Sequence, residues 1–391
     1  MPNFIFSRTP KLIFGPGNFR DLPKYIQGFG SNALIITGAV SFRQSARWGW
    51  LQDALADKRI SWQDESVALE PTPGMVDQTV KTYSGQHLDV VVSIGGGSVI
   101  DAGKAVSAML PLREPVMDYL EGVGSKKHPG VKIPFIAVPT TSGTGTEATK
   151  NASLRQVGRQ GFKNSLRHDN FVPDVALVDA ELAMDCPAHI SASCGMDALA
   201  QLLESYVSPK ASPLTDALAR SGLSALREGL FPAFSEGSQN LAARIKMAYA
   251  AFLSGVSLAN AGLGIVHSFS SLIGGYFDIP HGVICARLLP AGMRINIACL
   301  RKQASRNQLS LQKHAQAGAL LTGRNIGNEA DACDELVKIL EVWVEQLKIP
   351  RLSDCGLMRE DFDRILANVS NRDNPVQLNR EELRSILELS Y

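Results

Sequence analysis

Four stretches in the first half of the chain are apolar almost throughout: NALIITG (32–38), LDVVVSIGG (88–96), IPFIAVPTT (133–141) and DVALVD (174–179). A strand with one wet face alternates apolar and polar residues. Continuous apolar runs separated by helix-length segments instead indicate parallel strands covered on both faces. The first half is therefore expected to be α/β. After about residue 185 the pattern changes to segments such as SGLSALREGLFPAF (221–234) and LAARIKMAYAAFLSGVSLANAG (241–262), with almost no β-branched runs. Their good helix formers and period near 3.6 predict an all-α second half. MDCPAHISAS (184–193) carries a proline and several capping residues, which places the boundary there. The expected organisation is an α/β domain over 1–185 and a helical domain over 186–391, with the ligand site in a cleft between them.

A chain of 391 residues exceeds what one core usually serves, in keeping with two domains. Lys+Arg 39 against Asp+Glu 38 leaves no charge excess for a dedicated nucleic-acid or anionic-membrane surface, so small-molecule chemistry is expected. No run of about 18 apolar residues appears. The N-terminal MPNFIFSRTPK lacks a basic segment followed by a long apolar one, and a cytoplasmic location is expected. The six cysteines show no CxxC spacing and read as reduced, structural thiols.

Candidate chemistry begins with VVVSIGGGSVIDAGKA (90–105): a strand, three glycines, then a helix expected to open at Ser98 with Asp101 in its first turn. Glycines let backbone N–H groups approach a phosphate, and a helix N-terminus adds partial positive charge. A tight turn alone would also use glycine, but three exceed its needs. Gly95, Gly96, Gly97, Ser98 and Asp101 are thus candidates for a dinucleotide site. The loop VPTTSGTGTEATKN (138–151) carries five threonines at the carboxyl end of the next strand, where open α/β sheets bind ligands. It adds Thr140, Thr141 and Thr144, with Lys163 able to reach the same cofactor. Where an acidic residue commonly holds the ribose, after NALIITG, the chain has Gly38 followed by AVSFRQ. With Ser41 and Arg43 nearby and no carboxylate, NADP is expected at least as readily as NAD.

GMDALAQLLESY (195–206) sets Asp197 and Gln201 four residues apart on a helix, which is ligand spacing with glutamine where histidine would be expected. His267 and His281 fall in the apolar, Gly-rich stretch GLGIVHSFSSLIGGYFDIPHGVICARLLP (262–290). Either alone reads as a hydrogen-bonded core residue. Together with Asp197 they make a metal or proton-relay site competitive.

The motifs FGPG (14–17), GGGSVID (95–101), PTTSGTGTE (139–147), PDVALVD (173–179), GMDAL (195–199) and PHGV (280–283), with the late NP and REEL, run nearly the whole chain. In that order the sequence resembles the iron-containing (group III) alcohol dehydrogenases, of dehydroquinate synthase-like fold. The resemblance implies an NAD(P)-binding α/β domain and a helical domain holding a divalent metal, iron or zinc, on one aspartate and three histidines. Carried onto this chain, the ligands are Asp197, His267 and His281, with Gln201 at the remaining position. A further family histidine near the nicotinamide is Ser271 here. The implied chemistry is reversible hydride transfer between nicotinamide and a small alcohol or carbonyl, by a homodimer. Gln201 keeps other readings open: a metal-independent reductase of an oxoacid, resembling maleylacetate reductase, with Lys150, Arg155 or Arg167 as the carboxylate's partner; a dehydroquinate synthase-type lyase; or a non-catalytic dinucleotide sensor.

Overall fold

The apolar runs of the first half become the centre of a six-stranded, wholly parallel sheet. In the computed structural model, which describes residues 3–391, the elements of this half are β1 (Lys11–Phe14), α1 (Leu22–Gln27), β2 (Asn32–Gly38), α2 (Ala46–Asp57), β3 (Ser61–Val67), α3 (Pro73–Tyr83), β4 (Val90–Gly95), α4 (Gly97–Met109), β5 (Phe135–Pro139), β6 (Asn151–Gln156), β7 (Phe162–Arg167) and β8 (Val175–Val178). Strand order is β1-β8-β5-β4-β2-β3, and β6 pairs with β7 in a separate ribbon. The central strands β4, β5 and β8 are buried along their whole length. Residues such as Ile35, Val92, Ile136 and Leu177 join Leu22, Leu51 and Leu55 in one apolar core. The edge strands β1 and β3 are largely exposed, which is why their sequences, KLIF and SWQDESV, carry no strong apolar run.

The chain steps outward from β2 to β3, then returns to lay β4 on the other side of β2. That reversal makes the carboxyl ends of β2 and β4 a topological switch point, where open α/β sheets form their ligand crevice.

The second half is helical: α5 (Ala188–Val207), α6 (Pro213–Ser235), α7 (Leu241–Ala261), α8 (Ile265–Tyr276), α9 (His281–Arg301), α10 (Ala304–Thr322), α11 (Glu329–Gln346), α12 (Phe362–Leu366) and α13 (Arg380–Ser390). Helix α5 packs against α6, α7 and α9 and is buried almost all round from Ser191 onward. A helix so enclosed is apolar on every face, and the polar residues it does carry need partners. Helices α7 and α9 have the length and hydropathy of a membrane span, yet most of each is buried inside the fold as core.

Two compact units result. The α/β unit comprises Ser7–Gln156 and Lys163–Asp185, and the helical unit comprises residues from Cys186 onward with residues 3–6 and Val157–Phe162.

Candidate active site

Three residues of α5 lie on one stripe of the helix: Asp197, Gln201 and Glu204, at i, i+4 and i+7. All three are buried. Glu204 sits at the start of α8, where its carboxylate accepts the backbone N–H groups of Val266 at 2.7 Å and His267 at 3.4 Å. An anion is favoured at that end of a helix, and these bonds satisfy donors that have no partner within it. The same carboxylate accepts a hydrogen bond from His267 Nδ1 at 2.6 Å, which turns Nε2 toward Asp197 Oδ1 at 3.3 Å.

Helix α9 begins at His281, directly after Pro280. A Cβ on Gly282 would lie 2.4 Å from the Ser193 carbonyl oxygen, so only glycine lets α9 start this close to α5. His281 Nε2 is thereby placed 3.7 Å from Asp197 Oδ1. One turn along α9, buried Cys285 brings its Sγ to 3.7 Å from His267 Nε2 and 3.6 Å from His281 Nε2. Asp197, His267, His281 and Cys285 each offer a donor atom, all within 4.8 Å of one another.

Gln201 enters this cluster as a hydrogen-bond donor. Its Nε2 donates to Asp197 Oδ2 at 3.2 Å, and its Oε1 accepts from Ser254 Oγ of α7 at 2.7 Å. The amide oxygen expected as a ligand is thus used by a neighbouring hydroxyl, and the amide orients the aspartate.

The electrostatics follow from burial and pairing. Burial pushes the Asp197 carboxyl up, but the His281 and His267 imidazoles outweigh it and hold it down at about 2. For His267 burial acts downward, and the acidic neighbours Cys285, Asp197 and Glu204 carry it well above the ordinary range. Burial raises the Cys285 thiol, opposed by His267.

In the α/β unit the predicted cofactor loops meet at the switch point. Gly38 ends β2 with exposed Ser41 in the following turn, and Gly95 ends β4. Thr140 N donates to Gly95 O at 3.0 Å, joining the threonine loop to the glycine loop. A Cβ on Gly97 would meet Thr144 Oγ1 at 2.6 Å, and one on Gly96 would meet Thr141 Oγ1 at 3.3 Å. The glycine backbone is therefore bare toward those hydroxyls at the N-terminus of α4, a cradle suited to a pyrophosphate.

One expectation needs correction here. Helix α4 opens at Gly97 rather than Ser98, with Gly96 as its cap, so Asp101 falls in the second turn and its carboxyl is not at the helix start. Asp101 belongs instead to a buried ionic group, its carboxyl pushed up to about 7 by burial against the pull of Lys104. Lys163 is held by Glu70, 2.7 Å away, and Arg43 gives its guanidinium to Thr37 Oγ1, the Glu65 carbonyl and Asp64, with its plane over Trp48. Among the cations weighed for an oxoacid carboxylate, Lys150 pairs with Asp169, Arg155 with Glu70 and Arg167 with Glu121.

Three residues were missed from sequence: Glu204, Lys104, and Cys285, whose thiol carried no spacing signal. Glu204 stood seven residues after Asp197 on the same helical stripe, and that spacing could have found it. Lys104 follows Asp101 by three residues in α4 and is fully buried, donating to Thr146 O, Thr149 O, Thr149 Oγ1 and Asn151 O at 2.8–3.0 Å. It pins the end of the threonine loop from beneath.

The family described as iron-containing alcohol dehydrogenase matches residues 9–180, and the C-terminal domain of the Fe-containing alcohol dehydrogenase family matches 191–391. Alcohol dehydrogenase 4 of Saccharomyces cerevisiae is 31% identical over 401 aligned positions, covering 99% of this chain and 98% of that protein. The NAD-dependent methanol dehydrogenase of Bacillus methanolicus is 30% identical, with 99% of each covered. A crystal structure of a 1,3-propanediol oxidoreductase superposes with a TM-score of 0.88 at 27% identity, both chains covered in full. This chain belongs to the iron-containing alcohol dehydrogenase family and is an NAD(P)-dependent oxidoreductase acting on CH–OH groups.

Proposed function

We propose that this enzyme interconverts a small primary alcohol and its aldehyde by hydride exchange with nicotinamide C4, using a divalent metal held by Asp197, His267 and His281. The observation that carries the reading is the convergence of Asp197 Oδ1 with two imidazole Nε2 atoms at 3.3 and 3.7 Å in a buried setting. One carboxylate oxygen and two imidazole nitrogens are a donor set that suits iron or zinc, so the residues fit the ion. When bound, the ion supplies Lewis acidity toward the substrate oxygen.

The remaining work falls to the chain itself. Glu204 keeps the His267 proton on Nδ1, so that Nε2 presents its lone pair inward. Gln201 holds Asp197 by its second oxygen. Burial of Asp197 and His267 themselves keeps water from the donors. In the α/β unit the N–H groups of Gly97 and Ser98 and the hydroxyls of Thr141 and Thr144 bind and orient the dinucleotide.

A cytoplasmic homodimer completes the proposal. None of the six cysteines, all among the described residues, is in a disulfide, which suits a reducing compartment, and β1 is an edge strand open to pairing with a second copy. Sedimentation at micromolar concentration tests the dimer.

Elemental mass spectrometry of protein purified without chelator tests the central claim, with turnover followed before and after exhaustive chelation. About one iron or zinc per chain and activity that falls with its removal are expected. Full alcohol oxidation by metal-free protein would overturn the metal's role.

A further inference from the structure

We infer that Cys285 is itself a metal ligand: its thiolate is the fourth donor, standing where Gln201 provides none, and the donor set Asp197, His267, His281 and Cys285 selects zinc. The inference rests on the metal reading above and concerns which atoms complete it.

The geometry is specific. A tetrahedral zinc ion with bonds of about 2.0–2.3 Å has donor–donor edges of roughly 3.3 Å between nitrogen and oxygen and roughly 3.6 Å between nitrogen and sulfur. The corresponding edges here are 3.3 Å for His267 Nε2 to Asp197 Oδ1 and 3.7 Å for His281 Nε2 to Asp197 Oδ1. Those to sulfur are 3.7 Å from His267 Nε2 and 3.6 Å from His281 Nε2. Three of these edges match the polyhedron to about 0.1 Å, and the fourth, from His281 to Asp197, is about 0.4 Å longer.

The competing fourth residue presents the wrong atom: Gln201 turns its N–H, which cannot ligate a metal, to Asp197, while its oxygen accepts from Ser254 Oγ at 2.7 Å. Cys285 is fully buried on a helix already anchored at His281, and needs no displacement to face the other donors. The sequence spacing says the same: His281 and Cys285 are four apart on α9, just as Asp197 and Gln201 are on α5. The second member of the α9 pair supplies what the second member of the α5 pair lacks. A soft thiolate would shift such a site from iron toward zinc.

The test uses cobalt(II) as an optical stand-in for zinc, added to full-length protein stripped of metal. Wild type should take up one cobalt per chain and show a near-ultraviolet sulfur-to-cobalt charge-transfer band. Cys285→Ser should bind cobalt without that band, and its zinc affinity, measured by chelator competition, should fall on the order of tenfold or more. Cobalt bound by wild type with no such band, or a band that persists in Cys285→Ser, overturns the thiolate ligand and leaves the Asp197–His267–His281 site standing. Failure of wild type to bind either cobalt or zinc overturns both. Because the band is read first in wild type, the inference does not depend on how well the variant folds.

Discussion

Glu204 Oε2 lies 2.6 Å from His267 Nδ1, and the same carboxylate caps the first N–H groups of the helix that carries His267. One side chain thus fixes both where the imidazole sits and which nitrogen it presents. Glu204→Gln keeps the shape but loses the charge that holds the proton on Nδ1. Zinc affinity should fall about 10–100-fold, measured by competition with a chromogenic chelator. Unchanged affinity would mean that Glu204 serves only as a helix cap.

Lys104 is the internal fastener of the threonine loop. Lys104→Met removes the amine and leaves the carbonyls of Thr146, Thr149 and Asn151 facing apolar atoms, beside the buried carboxyls of Asp101 and Glu147. Breaking a buried charge cluster from one side costs about 3–5 kcal/mol. Urea unfolding should show a loss of that size, and a loss under 1 kcal/mol would show that the loop holds without the amine.

Gly97→Ala tests the cofactor cradle without touching the metal residues. Its Cβ would fall 2.6 Å from Thr144 Oγ1, which is itself held by the Thr146 hydroxyl at 2.9 Å. Overpacking of this kind costs about 1–3 kcal/mol, so NAD(P)H should bind on the order of tenfold more weakly by fluorescence titration. Alanine is otherwise favourable in a helix, so equal or tighter binding would place the dinucleotide elsewhere.

His314 in α10 should shape the acid limb of stability. It is fully buried, with Nδ1 against the Ser310 carbonyl at 2.7 Å, and burial pushes its pKa down to about 4. A base whose folded pKa is depressed is protonated first in the unfolded chain. Its contribution is therefore complete above about pH 6.5 and is lost as pH falls from there to about 4, by about 3 kcal/mol. Comparing His314→Leu with wild type by urea unfolding at pH 7.5 and pH 4.5 isolates it: the variant should lose less stability on acidification. An equal loss in both would assign the limb to other groups.

Much of this protein could be read along the chain. Residues 32–38, 88–96, 133–141 and 174–179 announced the central strands because a strand covered on both faces must be apolar at every position. The edge strands β1 and β3, half open to water, carry no such signature and emerged only in the fold. Glycines 95–97 and the threonine-rich loop could be picked out together because their backbone freedom and hydroxyls are local properties, and the fold brings the two loops side by side. Asp197, His267 and His281 stood out as polar groups in apolar surroundings.

What tertiary structure alone decided is the set of partners, since donors about 70 and 84 positions from Asp197 meet only when α5, α8 and α9 pack. Packing paired Lys163 with Glu70, Arg43 with Asp64 and Gln201 with Ser254, partners that no local pattern announced. It also carried Cys285, one of six unremarkable thiols by spacing, into the middle of the donor cluster. Sequence determines which groups cannot be buried alone; only the folded chain determines which of them are buried together.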